Sequence, residues 1–290
     1  MWVMKNARRI DVMMTYHMNR LAFSKILPYK LLNPKGKVYL KSDGWPMPYH
    51  RSILMHPVSF MLTKLSSCIS TELAGKAEEM SRAWHRKIVH VPNPANPSEL
   101  EDFRPFSERS NVILTVGRLG TKQKATEILL EAFARIAGKI PGWTLKLAGY
   151  LSENVSIAEE FYAAHPELRE RVIFTGEVRD RGTLIEMYRD AKIFAFPSRW
   201  ESFGIALTEA MMQGCFPVVT EIPSFMELTE NLRYGLGSKV DDAGGLAENL
   251  LWACTHEKEA EALALEGMTA TRTRCDLRRC CDVIAQDVMS

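Results

Sequence analysis

The chain has 290 residues, of which 46% are hydrophobic and 25% are charged, and its formal net charge is +2. This composition is typical of a globular α/β protein with room for two hydrophobic cores, and it excludes disordered and collagen-like classes. No stretch approaches the roughly 20 apolar residues of a membrane-spanning helix, and the first apolar run is too short for a secretory signal.

Basic residues are concentrated in the first third of the chain. Residues 1–93 contain 15 Lys and Arg against 5 Asp and Glu, a balance of +10, and the remaining residues contain 22 against 30, a balance of −8. A basic segment favours an anionic partner such as a lipid surface, and an ordinary solvated basic surface is the alternative. Nucleic acid is disfavoured, because the charge comes without zinc-finger spacing, an RNP-like aromatic motif or a clear helix-turn-helix.

Six cysteines are present, and none belongs to a C-x-x-C pair. In a chain large enough to fold without covalent staples, this pattern indicates reduced thiols and disfavours a zinc site. We therefore expect a cytoplasmic location, with peripheral contact between the basic segment and an anionic membrane at its inner face.

The predicted strands and helices fall into two regions, which a proline-rich stretch at 90–105 separates. Before it, strands are predicted at 10–14, 35–44 and 87–91, and helical composition at 73–87. After it, strands are predicted at 111–117, 143–150, 171–177, 192–198 and 215–221, and helices at 126–140, 155–164, 182–190 and 205–213. This alternation implies βαβ crossovers, and therefore a parallel sheet with helices on both faces.

An open parallel sheet binds ligands beyond the carboxyl ends of its strands, where the sequence 116–133 carries three cations. Gly117 ends a strand, and Arg118, Lys122 and Lys124 follow it before the next helix begins. Cations between a strand end and a helix start suit a pyrophosphate, and a solvated basic loop is the alternative. The segment is neither a Walker loop nor a G-x-G-x-x-G fingerprint, which disfavours ordinary P-loop and dinucleotide-binding functions.

Residues 197–219, PSRWESFGIALTEAMMQGCFPVV, place two carboxylates around a helix start. Glu201 lies in a loop, a helix is predicted to begin near Gly204, and Glu209 projects from an early turn of that helix. The two carboxylates can then address opposite ends of an elongated ligand, while free amides at the helix start hold phosphate oxygens. A capping glutamate and a surface glutamate are the alternative.

This segment resembles the signature of glycosyltransferase family 4, a retaining GT-B family, in its proline-serine, Glu, seven residues, Glu, helix and later P-V-V. Residues 116–133, VGRLGTKQKATEILLEAF, are similar to the family's G-R-loop-K-helix motif in its longer-loop variant. Counting back from the helix end matches Lys124, rather than Lys122, with the family lysine.

A third segment, at 174–198, resembles the family's glycine turn and the helix after it, where backbone groups meet the nucleotide base. This similarity implies a base contact near Glu177 and Val178. The resemblance covers about residues 85–252, with its motifs in the family's order.

The resemblance also implies roles for individual residues. Arg118 and Lys124 are expected to neutralise the diphosphate of a nucleotide sugar as it leaves, with Glu201 beside the transferred sugar, and these three form the predicted catalytic set. Glu209 is expected to accept hydrogen bonds from the ribose. The predicted donor-binding residues are Gly117, Glu177, Val178, Phe203, Gly204, Ile205, Ala206, Leu207 and Glu209. Neither a metal nor a cofactor is implied, because the nucleotide sugar is itself the donor substrate.

The implied fold is α/β and GT-B-like, with a Rossmann-type doubly wound parallel sheet in the C-terminal domain and a partial Rossmann-like N-terminal domain. Its opening strand and glycine-rich loop are missing from the pattern, so the N-terminal domain is expected to be truncated. The expected domains are an acceptor-side domain at 1–93, a linker at 94–106, a nucleotide-sugar-binding domain at 107–266 and a helical tail at 267–290 that packs back toward the N-terminal domain.

We therefore expect retaining, metal-independent transfer of a hexosyl unit from a nucleoside diphosphate sugar to a hydroxyl of a glycan or lipid-linked acceptor, as in polysaccharide biosynthesis. Because the acceptor-side pattern is incomplete, a catalytically silent nucleotide-binding fragment or scaffold is the alternative. A GT-B sugar-nucleotide epimerase ranks lower, since its relatives are not expected to carry this glutamate spacing.

Overall fold

A computed structural model describes residues 2–42, 57–100, 102–151 and 156–289. The chain forms two units, one made of Met1–Pro94 together with Cys275–Ser290 and the other of Ala95–Arg274. Each unit is built on its own parallel sheet. The last two residues of the strand and turn predicted at 35–44 lie outside the described residues.

The elements are numbered in chain order. The described strands are β1 (Val12–Tyr16), β2 (Lys37–Lys41), β3 (Cys68–Thr71), β4 (Val89–His90), β5 (Ser110–Val116), β6 (Thr144–Ala148), β7 (Val172–Gly176), β8 (Ala191–Phe196), β9 (Phe216–Thr220) and β10 (Leu236–Ser238). The described α-helices are α1 (Trp2–Asn6), α2 (Arg20–Leu32), α3 (Pro57–Leu65), α4 (Ala74–Trp84), α5 (Thr126–Ile136), α6 (Ile157–Ala164), α7 (Arg181–Asp190), α8 (Ile205–Met212), α9 (Pro223–Leu228), α10 (Ala243–Thr255), α11 (Glu257–Arg274) and α12 (Leu277–Met289). Among the described residues, each helix is too short or too polar to cross a lipid bilayer.

The sheet of the first unit has four parallel strands in the order β1-β2-β3-β4. Parallel neighbours need a crossover segment between them, which α2 provides between β1 and β2. Tyr29 of α2 is fully buried, and its hydroxyl donates to the carbonyl oxygens of Ile10 and Asp11 at 2.9 and 3.1 Å. These bonds fix α2 beside the start of β1. Helix α12 packs against β2 and β3 and buries Cys280 and Val288.

The second unit has six parallel strands in the order β10-β9-β8-β5-β6-β7. From β5 the chain adds β6 and β7 on one side, and it then returns to add β8, β9 and β10 on the other. The direction of winding therefore reverses between β5 and β8, which leaves a crevice at their carboxyl ends where open α/β sheets bind ligands. The predicted α/β fold with parallel sheets is confirmed, and the segments after β5 and β8 lie at this switch point.

The central strands of the second unit are apolar because they lie inside the core. Every residue of β8 and β9 is buried, as is typical of parallel strands with both faces covered. Helix α5 adds Leu129, Phe133 and Ile136 to the same core, at the spacing of one helix face. This packing fixes α5, and with it the end of the loop that follows β5.

Several predicted helix ends differ from those observed, and the helical segment predicted at 73–87 ends at Trp84. The helix predicted at 126–140 ends at Ile136, and Ala137–Lys139 form a 3-10 turn that contains Gly138, a poor helix former. The loosely helical tail predicted from 267 is divided between the end of α11 and α12. Asp276 begins the second helix by accepting a 2.8 Å hydrogen bond from the backbone amide of Arg279.

The close approach of Gly149 to the backbone of Gly117 predicts that a side chain at position 149 strongly lowers stability. Gly149 follows β6 with φ of +145°, and a Cβ there would lie 1.8 Å from the carbonyl oxygen of Gly117. We predict that Gly149→Ala lowers the free energy of unfolding by more than about 2 kcal/mol, because the strand end must shift. Chemical denaturation measures this change. Gly138→Ala is the control, since its added methyl group meets nothing within 4 Å; an equal loss in both variants would contradict the explanation.

Candidate functional site

Glycines at the carboxyl edge of the second sheet let the chain pack closely beside the switch point. The amide of Gly117 donates to the carbonyl oxygen of Ala148 at 3.0 Å, and the amide of Gly149 donates to that of Gly176 at 2.9 Å. A Cβ on Gly117 would lie 3.0 Å from Cε of Lys124. The missing side chain therefore allows the lysine stem to lie against the end of β5.

The loop between β5 and α5 is tied to the loop after β8. The amide of Arg199 donates to the carbonyl oxygen of Gln123 at 2.8 Å, and Nε2 of Gln123 donates to that of Trp200 at 3.0 Å. The guanidinium of Arg199 also donates to the carbonyl oxygen of Lys122 at 2.6 Å. Oε1 of Gln123 accepts a 2.7 Å hydrogen bond from Arg118. The two sequence motifs thus form one local structure, through Gln123 and Arg199, which were not predicted.

Lys124 and Glu201 form an ion pair between these loops. Nζ of Lys124 lies 2.5 Å from Oε1 of Glu201 and 4.3 Å from the centre of the Phe196 ring. The two side chains are only 13% and 10% exposed, whereas Lys122 and Arg118 are exposed. Burial lowers the pKa of Lys124, and the charge and hydrogen bond of Glu201 oppose this effect. The structure therefore brings two of the three predicted catalytic residues into direct contact, with Arg118 in the same loop.

The start of α8 lies in the segment that carries Glu201. Gly204 has a φ of +101°, and a Cβ there would lie 2.9 Å from Cε1 of Phe225, so this position requires glycine. No side chain among the described residues caps the helix, which begins at Ile205. Its first amides therefore remain able to bind an anion.

The predicted donor-binding residues at this helix start differ in what they can offer. Phe203 and Leu207 are 2% and 0% exposed, so only their backbone groups can meet a ligand. Ile205 is 57% exposed, and Ala206 is half-buried.

Glu209 lies on α8 with both carboxylate oxygens bonded. Oε1 is 2.8 Å from Nη2 of Arg181, and Oε2 accepts a 3.1 Å hydrogen bond from the hydroxyl of Tyr188. Burial, reinforced by the charge of Glu209, raises the pKa of Tyr188 well above its usual value, so the phenol keeps its proton and remains a donor. Arg181 and Tyr188 come from α7, and neither was predicted.

Glu177 and Val178 follow β7, the strand at the edge of the sheet. Glu177 is bonded to Arg179 at 2.8 Å, and the described contacts do not join it or Val178 to the Lys124 pair. Glu177 and Val178 lie in the loop between β7 and α7, and this loop leads to Arg181 at the start of α7.

Arg118, Lys124 and the amides that open α8 are positive groups at the switch point, where Lys122 and Arg199 also lie, the latter paired with Glu127 and Asp241. In the described parts of the chain, no three His, Cys, Asp or Glu side chains are grouped so that they could hold a metal ion. The chemistry that these cations and amides favour is the binding of an anion with several oxygens.

A doubly wound sheet with cations and an open helix start at its switch point defines a Rossmann-type α/β domain that is suited to an anionic ligand. The chain belongs to the family described as Glycosyl transferases group 1, whose model matches residues 98–267. This match covers more than half of the chain and includes every predicted site residue.

Relatives of the chain carry glycosyltransferase names. It is 30% identical to the uncharacterized glycosyltransferase YqgM of Bacillus subtilis over 148 residues. The aligned residues make up 51% of this chain and 40% of that protein. It is 25% identical to the phosphatidyl-myo-inositol mannosyltransferase of Mycolicibacterium smegmatis over 182 residues. This alignment covers 60% of this chain and 46% of that protein. The chain thus spans about half the length of the curated relatives it matches.

Solved structures share the fold over nearly the whole chain. Anabaena HepE, solved in complex with UDP and glucose, superposes with a TM-score of 0.75 at 18% identity, over 100% of this chain and 80% of that one. Sucrose-phosphate synthase from Thermosynechococcus elongatus superposes with a TM-score of 0.71 at 18% identity, over 98% of this chain and 75% of that one. At these identities the likeness shows the fold alone, and it confirms the GT-B-like architecture.

Proposed function

We propose that this chain is a retaining glycosyltransferase of family 4, which moves a sugar from a nucleoside diphosphate sugar to a hydroxyl of a glycan or lipid-linked acceptor. The observation that carries the proposal is the largely buried Lys124–Glu201 ion pair at the switch point, which joins the loop before α5 to the segment that opens α8. It joins a cation suited to phosphate with a carboxylate suited to sugar hydroxyls.

The diphosphate would be held by Lys124, Arg118 and the amides at the start of α8. A diphosphate carries more negative charge than one carboxylate, so it can replace Glu201 as the partner of Lys124. Arg118 is exposed and bonded only to a neutral amide oxygen, that of Gln123, among the contacts described for its side chain. Releasing that bond costs little, because a charged phosphate oxygen is the stronger acceptor.

Glu201 and Glu209 would then serve the two sugars of the donor. Glu201, freed from Lys124, would accept hydrogen bonds from hydroxyls of the transferred sugar. Glu209 keeps its partners and accepts from the ribose, while the base lies near Glu177 and Val178. Carboxylates suit both places, because vicinal hydroxyl groups are donors without charge.

Retention follows if leaving and attacking groups use one face of the sugar. In the proposed step the bond between the anomeric carbon and the phosphate oxygen breaks, and the acceptor oxygen forms its bond on the same side. The departing phosphate takes the acceptor's proton. Arg118, Lys124 and the α8 amides stabilise the charge that develops on that phosphate, so the step requires no metal ion.

The first unit would supply the acceptor side and the contact with an anionic membrane. The +10 balance of residues 1–93 supports this assignment, and Trp2 and Leu21 are 67% and 63% exposed there.

We predict that the chain sediments with anionic vesicles and that this binding is lost at high salt, because salt screens the attraction between surface charges. Equal binding to uncharged vesicles would contradict a membrane contact based on charge and with it the proposed location at the inner face.

The phosphate role predicts a selective loss of affinity. Lys124→Ala and Arg118→Ala should each weaken binding of UDP about tenfold or more, because a charge-assisted hydrogen bond is lost, and should leave uridine binding nearly unchanged. Calorimetry with both ligands measures the difference, with GDP and guanosine as the alternative pair. Lys122→Ala is the matched control, since this exposed lysine lies in the same loop. Equal weakening of diphosphate and nucleoside would remove the phosphate role.

Turnover separates the enzyme from a catalytically silent nucleotide-binding protein. We predict that the chain releases nucleoside diphosphate from one of a panel of nucleotide sugars, and faster when an acceptor is present. Mass spectrometry of the products distinguishes transfer from hydrolysis and from epimerisation of the donor. Binding without turnover would support the silent alternative, and binding of no nucleotide sugar would contradict both.

A further inference from the structure

One guanidinium joins two carboxylates beside the second glutamate of the site. Nε and Nη2 of Arg181 lie 3.0 and 2.7 Å from the two carboxylate oxygens of Glu99, which is a bidentate arrangement. The same Nη2 lies 2.8 Å from Oε1 of Glu209. Arg181 opens α7, Glu99 precedes β5 and Glu209 lies on α8, so the contact joins three separate segments.

The other oxygen of Glu209 is also held by a donor. Tyr188 is fully buried and donates its hydroxyl to Oε2 at 3.1 Å. With a donor on each oxygen, the carboxylate plane of Glu209 cannot rotate without losing a hydrogen bond. A carboxylate accepts about four hydrogen bonds, so two acceptor sites remain, and the side chain is still 20% exposed. The group is thus oriented but not saturated.

Arg181 is itself fixed by Glu99, whose backbone is anchored to the helices. The carbonyl oxygen of Glu99 accepts hydrogen bonds from Arg189 at 3.2 Å and from Nε2 of Gln213 at 2.9 Å. The Arg181 bonds lower the pKa of the Glu99 carboxyl, which therefore stays ionised. Arg181, Glu99 and Glu209 together carry a charge of −1, and at the free oxygens of Glu209 this charge favours neutral hydroxyl donors over phosphate.

We infer that Arg181 is a positioning residue that holds Glu209 in the orientation needed to distinguish ribose from deoxyribose in the bound nucleotide. The inference rests on the proposed function, in which Glu209 faces the ribose. A purely structural tether between the segment around Glu99 and α7 is the competing explanation, and it affects both nucleotides equally.

The test compares the affinities of UDP and 2′-deoxy-UDP by calorimetry, with GDP and 2′-deoxy-GDP used if GDP binds more tightly. The wild-type chain should prefer the ribonucleotide by about tenfold, the value of one hydrogen bond to a charged acceptor. Arg181→Ala should reduce this ratio by at least about threefold, because Glu209 is then free to rotate. Arg181→Lys should restore part of the ratio, since an ammonium keeps the charge but lacks the planar fork.

Arg104→Ala is the matched control. Arg104 also joins the segment before β5 to α7, through Glu186 at 3.3 Å, but it has no described contact with Glu209. Its removal should change the ratio by less than about twofold, as expected for an exposed ion pair. Glu99→Gln provides a second variant, which weakens the hold on Arg181 without touching Glu209, and it should lower the ratio by less than Arg181→Ala does. Circular dichroism confirms that each variant is folded.

Glu209→Gln separates failure of the inference from failure of the proposed function. If Glu209→Gln and Arg181→Ala both reduce the preference for ribose, the inference is supported. If Glu209→Gln reduces it but Arg181→Ala weakens both nucleotides equally, Arg181 is a structural tether and the inference is overturned, while the ribose role of Glu209 stands. If Glu209→Gln leaves the preference unchanged, the ribose role itself is wrong.

Discussion

The buried ion pair between Lys124 and Glu201 depends on the strand order and makes the site possible. A buried amine is costly unless it is paired, and a buried carboxylate is costly for the same reason. The two residues are 77 positions apart in the chain, and they meet because β5 and β8 are neighbours in the sheet. Gly117 leaves room for the lysine stem, and Phe196 offers its ring face to the ammonium group. The chain thus concentrates opposite charges at the place where the sheet reverses its winding.

The two glutamates of the site are held in different ways, and this difference suits their proposed roles. Glu201 is paired with Lys124, which would bind the diphosphate of the donor instead. Binding of the donor would therefore release the Glu201 carboxylate toward the transferred sugar. Glu209 is bonded to Arg181 and Tyr188. A neutral ribose would not displace these two donors. One ion pair would open on binding and the other would persist. Between them, the uncapped start of α8 offers amides without requiring any side chain to move.

The alternation of strands and helices after residue 106 was enough to predict the parallel sheet, because its central strands are apolar and neighbouring parallel strands need a crossover, which is usually a helix. The motifs also matched Lys124, rather than Lys122, with the family lysine, and the structure leaves Lys122 exposed and Lys124 largely buried, while the role of Lys124 stays a prediction. The partners of the site residues could not be predicted. Arg181, Tyr188 and Gln123 act through contacts that depend on strand order, which a pattern of alternation does not specify. Several helices were not predicted although their sequences carry start signals: Asn19 and Asp242 cap α2 and α10, and Pro223 opens α9.

The proposed function requires a nucleoside diphosphate to replace Glu201 as the partner of Lys124. A crystal structure of the chain with UDP, or with GDP if it binds more tightly, tests this most directly. We expect phosphate oxygens within about 3 Å of Nζ of Lys124 and of the amides that open α8, with the Lys124–Glu201 contact broken and the Arg181–Glu209 contact intact. A diphosphate bound elsewhere, with Lys124 still closed on Glu201, would contradict it.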